Sequence, residues 1–403
     1  MDQKAPLGRD VLLLVAYSFP VSISVGLRMV ILMPYLSLLG FSESQMGLIA
    51  TAGTLAMAVL AVPMGILSDV RGRKAFLASS RLLVAFSDFM FLTLRSFEAL
   101  LIANFVGGLG ASMSSAVRSA FLADKTSGPR RRWAFPTSFA LFSLGSVAGS
   151  LLAGLPDLIE AHYGLGLAEA TRLLFALCMA SSLTSFLLVL PMREERPRPG
   201  RRIGLLTVRS WDVIGFFCLS QALLGLGASL AVPWFSYYFF VRFKVRLSEL
   251  GLLFAVAQSF MALGNVSASK MASRLGSVRT VVACQLASIG ALLAIPLSPS
   301  FTLASAFYVL RAVLMNMATP VLQAYYIGLL RQDERASGSA LQNSTFRSLG
   351  TYCSGLLMEA ISLDMPFFIT SLLYLFSSLV LYGAFGRRAE EGAVSPPLSP
   401  LAS

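Results

Sequence analysis

Four charged side chains stand where charge is expensive. Arg28, Arg311, Arg347 and Asp88 each lie deep inside a long apolar stretch. An arginine at the centre of a lipid-spanning helix costs about 2.5–3.5 kcal/mol even on the lenient insertion scale. From mid-helix its side chain does not easily reach water. Such residues are expected to face a water-filled cavity or a partner. Three cations against one acid favour the binding of an anionic or strongly polar group. Asn316 and Asn343 occupy the same kind of stretch and could complete such a pocket, with aromatic residues filling it out. Asp88 recurs with Arg81 and Arg95 at seven-residue spacing, which puts all three on one helical face. Arg118 and Arg81 lie nearer helix ends and are expected to snorkel toward the interface.

These residues need membrane helices to hold them, and the composition calls for such helices. The 403-residue chain is 56% hydrophobic and only 13% charged, against roughly 25% charge in soluble domains. Its mean hydropathy is +0.73. Spans of about 20 apolar residues cross a bilayer. The pattern predicts twelve, near 11–39, 45–67, 75–95, 98–122, 133–155, 168–191, 211–240, 248–269, 279–298, 301–329, 337–360 and 365–386. They must be helical, because lipid offers the backbone no hydrogen-bond partner. With the N-terminus inside, 22 of the 32 Lys and Arg fall in cytoplasmic segments and 5 in outer ones. That bias places both termini in the cytoplasm. The segment from Glu194 to Ser210, with Pro197, Pro199, Gly200 and several arginines, reads as a basic linker. The expected organisation is 1–192 as one six-helix bundle, 193–210 as a cytoplasmic linker, 211–386 as a second bundle and 387–403 as a disordered cytoplasmic tail.

An internal repeat supports two halves. Ser44-Gln45-Met46-Gly47-Leu48 returns as Ser248-Glu249-Leu250-Gly251-Leu252, displaced by 204 residues. The same offset carries Gly72 onto Gly276 and Arg131 onto Arg335. Two copies in the same orientation make a parallel repeat.

Between the second and third spans runs Gly65-Ile-Leu-Ser-Asp69-Val-Arg-Gly72-Arg73-Lys74. Its spacing, G-x-L-x-D-x-x-G-R-K, resembles the loop signature of the major facilitator superfamily of transporters, with Val70 departing from the usual Arg. The resemblance covers about residues 11–386. It implies an all-α membrane protein of twelve transmembrane helices in two pseudo-symmetric six-helix bundles. It also implies secondary active transport by alternating access. Spans one, four, seven and ten would line the cavity, which puts Arg28 and Arg311 on it, while Arg347 would flank it. In such a gate, Asp69 faces a helix N-terminus near Ser337, Arg73 pairs with Asp124, and Gly65, Gly72 and Lys74 shape the turn. The second copy has Ser273 in place of Asp69, so the gate would be asymmetric. Asp88, on a span usually peripheral in this family, is either a counter-ion to Arg28 or a proton-coupling group. Asn104-x-x-x-Gly108-x-Gly110 resembles the span-four signature of proton-coupled relatives, but Asn104 replaces its Arg. Asn104 joins Arg28, Arg311, Asn316, Asn343 and Arg347 as a candidate substrate-binding residue. Gly145, Gly149 and Gly154 resemble an antiporter signature only loosely, and close helix packing explains them as well.

The expected activity is transport of an anionic or polar organic solute. The alternatives are proton-coupled efflux of drug-like amphipathic compounds, or a membrane receptor or scaffold that does not transport. Cys178, Cys218, Cys284 and Cys353 sit in apolar stretches without CxxC spacing, and the lone His162 falls in an expected outer loop. No metal cluster, GxSxG or phosphate loop is present, so an enzyme, a cofactor and a bound metal are not expected. Nucleic-acid binding lacks the folded basic domain it needs. The expected partners are a small-molecule substrate, a coupling proton or other ion, and the lipid of the plasma membrane. The protein is expected to be a monomer.

Overall fold

The computed structural model describes residues 8–194, 211–329 and 346–394. Among these residues every regular element is a helix. In chain order they are α1 (Arg9–Leu38), α2 (Glu43–Arg71), α3 (Arg73–Thr93), α4 (Phe97–Asp124), α5 (Gly128–Leu152), α6 (Leu155–Tyr163), α7 (Leu167–Val189), α8 (Trp211–Ala231), α9 (Phe235–Phe243), α10 (Leu247–Leu275), α11 (Ser277–Leu297), α12 (Phe301–Leu329), α13 (Phe346–Ala360) and α14 (Met365–Val394). Ten helical segments among the described residues are long and apolar enough to cross a membrane. α10, whose apolar part is Leu247–Ala262, and α13 take the places of the expected eighth and eleventh spans. The all-α, twelve-span architecture holds, with differences at span ends.

Those differences have local causes. The fifth span does not end in an open loop. After a break at Ala153–Gly154, α6 forms, with Pro156 in its first turn, where a missing N–H costs nothing. His162 therefore sits on a helix, its Nδ1 2.9 Å from the Leu158 carbonyl, and not in the loop expected from the sequence. Pro233 interrupts the seventh span as a short 3₁₀ turn, Val232–Trp234, because proline removes a helical donor. α14 runs past residue 386 to Val394, so the segment expected as a tail from 387 begins as helix, and 395–403 lie outside the described residues.

The chain divides into two compact units. The first comprises 1–202, 228–259 and 345–366. Its most extensive helix pairs are α1 with α5, α2 with α4, α3 with α4, and α2 with α13. Glycines let these backbones touch. A Cβ on Gly26 would stand 2.1 Å from the Ser146 carbonyl oxygen, one on Gly149 the same from Ile23, and one on Gly108 the same from Gly53. Gly145 likewise meets Phe19 O at 2.4 Å, so the glycines of α5 serve packing against α1. The second unit comprises 203–227, 260–344 and 367–403. There α11 packs on α12, and Phe217 stacks on Tyr326 with ring centroids 3.7 Å apart.

The repeat is visible in local geometry. Gln45 Oε1 accepts from Ser42 N at 3.1 Å, and Glu249 Oε2 accepts from Arg246 N at 2.9 Å, the same helix-start device 204 residues on. Gly72 and Gly276 begin α3 and α11 with φ of +104° and +83°, conformations that favour glycine.

The glycine contacts give a stability prediction. Gly108→Val and Gly149→Val should each lower the apparent Tm of the purified protein and broaden its size-exclusion peak, since overpacking costs about 1–3 kcal/mol. Gly290→Ala, whose Cβ would meet nothing within 4 Å, should leave both unchanged.

Candidate functional site

Within the first unit, α1 to α5 and the Val232–Pro233 turn enclose a cavity of about 620 Å³. Its walls are mostly apolar, with Met29, Leu32, Met33 and Met57 among them. Its polar lining comes from Arg28, Arg81, Arg118, Asn104 and a few hydroxyl residues.

Arg28 comes from α1 and is held by an acid, an amide and two rings. Its Nη1 lies 3.0 Å from Asp88 Oδ1, and its Nη2 donates to Asn104 Oδ1 at 3.3 Å. Its guanidinium sits 5.0 Å from the Phe91 ring centroid and 6.0 Å from that of Phe175. Asp88 is fully buried and also accepts from Ser182 Oγ at 3.5 Å. Asn104 completes the link by donating its Nδ2 to the Ile49 carbonyl at 2.8 Å. Gly53 admits it, because a Cβ there would fall 2.6 Å from that Nδ2. One ion pair thus ties α1 and α3 together, and the amide extends it to α4 and α2.

Arg81 and Arg118, the residues expected to snorkel, face this cavity. Arg81 is 4% exposed, with Nε donating to Ser80 Oγ at 3.3 Å and its guanidinium 5.9 Å from the Tyr17 ring centroid. Tyr17 Oη and Ser114 Oγ are 3.2 Å apart, and Ser114 lies one turn before Arg118 on α4. The Arg118 guanidinium rests 5.0 Å from the Phe142 ring centroid.

At the end of the unit where α2 meets α3, Arg73 is shared by two acids. Its Nη2 is 2.9 Å from Asp69 Oδ1 and its Nε 3.0 Å from Asp124 Oδ2. Glu194 Oε1 accepts from the Lys74 backbone N–H at 3.0 Å and so caps the start of α3. A Cβ on Gly72 would fall 2.1 Å from that same carboxylate oxygen, so a second reason for glycine joins its positive φ. Gly65 contributes its carbonyl, which accepts from Ser68 Oγ at 2.7 Å.

The opposite end, where α2 begins, is closed by segments from the second half of the chain. Ser44 N donates to Glu359 Oε2 at 3.0 Å, and Ser248 N donates to Asp157 Oδ2 at 2.7 Å. Each carboxylate thus sits on the first turn of a helix from the other half of the chain. Tyr237 Oη donates to Glu43 at 2.5 Å and Tyr238 Oη to Asp364 at 2.7 Å. A Cβ on Gly355 would stand 2.3 Å from the Glu43 carbonyl oxygen, and one on Gly251 2.4 Å from that of Ser150. Trp234, Phe235, Tyr237, Tyr238 and Phe239 are buried in this closure and form no lipid-facing belt.

The remaining candidates lie on helices from the second half of the chain or outside the described residues. Arg311 is buried on α12, its Nη2 donating to Tyr374 Oη at 2.6 Å. Asn316 Nδ2 donates to the Ala312 carbonyl at 2.8 Å. Arg347 lies on α13, and Asn343 and Ser337 fall outside the described residues. Glu194, Asp157 and Glu359 were missed as site residues. Asp157 and Glu359 carry a signal, since they are 202 residues apart, two short of the repeat offset. Glu194 carries none, because its role depends on where the linker returns.

The family model described as Major Facilitator Superfamily matches residues 14–351 and 217–401. The quinolone resistance protein NorA of Staphylococcus aureus (strain MRSA252) is 22% identical over 366 residues, 88% of this chain and 90% of that one. Among solved structures, the nucleoside transporter NupG superposes with a TM-score of 0.75 at 15% identity, covering 93% of this chain and 98% of that one. A bacterial homolog to the human lysosomal transporter Spinster gives 0.73 at 17% identity, over 96% and 98%.

The buried pair makes a prediction by its asymmetry. Arg28→Leu or Asp88→Leu alone strands a charge and should destabilise by about 3–5 kcal/mol, whereas the double variant should be closer to wild type. A double-mutant cycle on apparent Tm measures the difference; additive losses would contradict the pairing.

Proposed function

The chain belongs to the Major Facilitator Superfamily, a family of multi-pass membrane transporters, and we propose that it carries an anionic or polar organic solute by alternating access. The observation that carries this reading is the cavity, lined by arginines and closed at one end by segments 228–259 and 345–366. A volume of about 620 Å³ suits one drug-sized molecule. In this reading the closed end faces outward and the Asp69 end the cytoplasm, supported by the bias of Lys and Arg toward the segments at the Asp69 end. In this reading Arg28 and Asn104 line the substrate path, with Arg311, Asn316, Asn343 and Arg347 offered by the second half. The halves 1–192 and 211–386 expose the cavity alternately. The Asp69–Arg73–Asp124 cluster, with Gly65, Gly72 and Lys74 at the turn, latches the cytoplasmic side.

A second reading is proton-linked efflux of amphipathic drug-like compounds. It draws on the similarity to NorA and on Asp88, an acid whose protonation would release Arg28. Collapse of a pH gradient in proteoliposomes on adding compound would favour it.

Accessibility tests the main reading without knowing the substrate. With the native cysteines replaced, Met33→Cys in the cavity wall should react slowly with an impermeant maleimide added from outside. Asp157→Ala with Glu359→Ala, which removes both helix caps of the closure, should raise that rate severalfold. Asp69→Asn should lower it by weakening the cytoplasmic latch while leaving the protein monodisperse. A rate indifferent to all three substitutions would reduce the protein to a static membrane scaffold.

A further inference from the structure

We propose that Arg81 and Arg118, with the Tyr17–Ser114 hydroxyl pair, form the oxyanion-receiving end of the cavity, and that the solute is an amphipathic organic anion with its charge at one end. This rests on the transporter reading above and narrows it to a substrate class and a binding orientation.

The argument begins with charge. Arg28 is neutralised by Asp88 at 3.0 Å and covered by two rings and an amide, so it adds little net positive charge to the cavity. Arg81 and Arg118 have no carboxylate within 4 Å among the described residues. Two such cations sharing one low-dielectric cavity are costly unless an anion or water faces them. Both line the cavity. Tyr17 holds one and Phe142 the other, each from a ring face. Guanidinium groups are suited to oxyanions, which they can grip through two parallel hydrogen bonds. The hydroxyls of Tyr17 and Ser114, already bonded to each other, supply neutral partners on the same side.

Polarity then sets the orientation. Arg81 lies eight residues into α3 and Arg118 six before the end of α4, about 12 and 9 Å from the Asp69 end at the helical rise. Leu32, Met33 and Pro233 line the cavity from the other end. A bound amphiphile would therefore direct its charged group toward the Asp69 end and its apolar body toward the closure. A carboxylate, a sulfonate or a phosphate monoester satisfies the same requirement.

Three probes with one ring system test this. The purified full chain is titrated with 2-naphthoate, 2-naphthylmethylamine and 2-naphthalenemethanol. Wild type should bind the carboxylate about tenfold or more tightly than the alcohol, and the ammonium more weakly than either. Arg118→Gln and Arg81→Gln should each abolish that preference while alcohol binding stays within about twofold, and Arg118→Lys should keep most of it. Should buried Arg81→Gln not yield monodisperse protein, Tyr17→Phe probes the same end, with about a threefold loss for the carboxylate alone. Equal binding of all three probes by wild type would overturn the anion subsite, and transport would still be judged by the accessibility rates. A preference that survives both glutamine variants but disappears in Arg311→Gln would overturn this location and leave an anion carrier standing.

Discussion

A charged group inside a lipid-spanning helix must find a partner in the protein, and the first unit is built around one that does. Arg28 and Asp88 belong to α1 and α3, and Asn104 carries the link to α4 and, through the Ile49 carbonyl, to α2. Each helix is placed by a group that none of the others could satisfy alone. The aromatic rings of Phe91 and Phe175 lie against the Arg28 guanidinium, and burial of Asp88 strengthens the pair. Arg81 and Arg118 obey the same constraint with a different outcome. Rings support their guanidinium groups, no carboxylate among the described residues lies within 4 Å of them, and both line the cavity.

Close backbone approach is the complementary device. Lipid supplies no hydrophobic drive for helices to associate, so contact area must come from packing. Glycines on α1, α2, α4 and α5 provide it at distances no side chain would allow. Gly251 and Gly355 repeat the device where α10 and α13 meet the first half, beside the carboxylates Asp157 and Glu359. Small residues there permit contact, and acids on helix starts stabilise it by charge–dipole attraction. Such a closure is made of a few modest interactions, and modest interactions can be exchanged.

Much of this was legible in advance. Apolar stretches of membrane length have one structural solution, so the spans were readable within a few residues. Pro233 and the Ala153–Gly154 break moved boundaries because they act on single helical turns. The pairing of Arg73 with Asp124 was implied by the resemblance of the loop between the second and third spans to its family signature, and the two side chains meet at 3.0 Å. The roles of Arg81 and Arg118 were not. Their depth suggested snorkelling, and the direction of a side chain around a helix axis depends on which neighbours cover the other faces.

The amino-acid order was sufficient for everything that one helix and its solvent decide. That includes the membrane class, the spans, the two-fold repetition at 204 residues and the cost attached to each intramembrane charge. Partnership required the folded chain. Arg28 found Asp88 at a separation of 60 residues, Ser44 found Glu359 at 315, and Lys74 found Glu194 at 120. Hydropathy and spacing record what a residue needs, whereas the supplier of that need is chosen by the packing of helices distant in the chain.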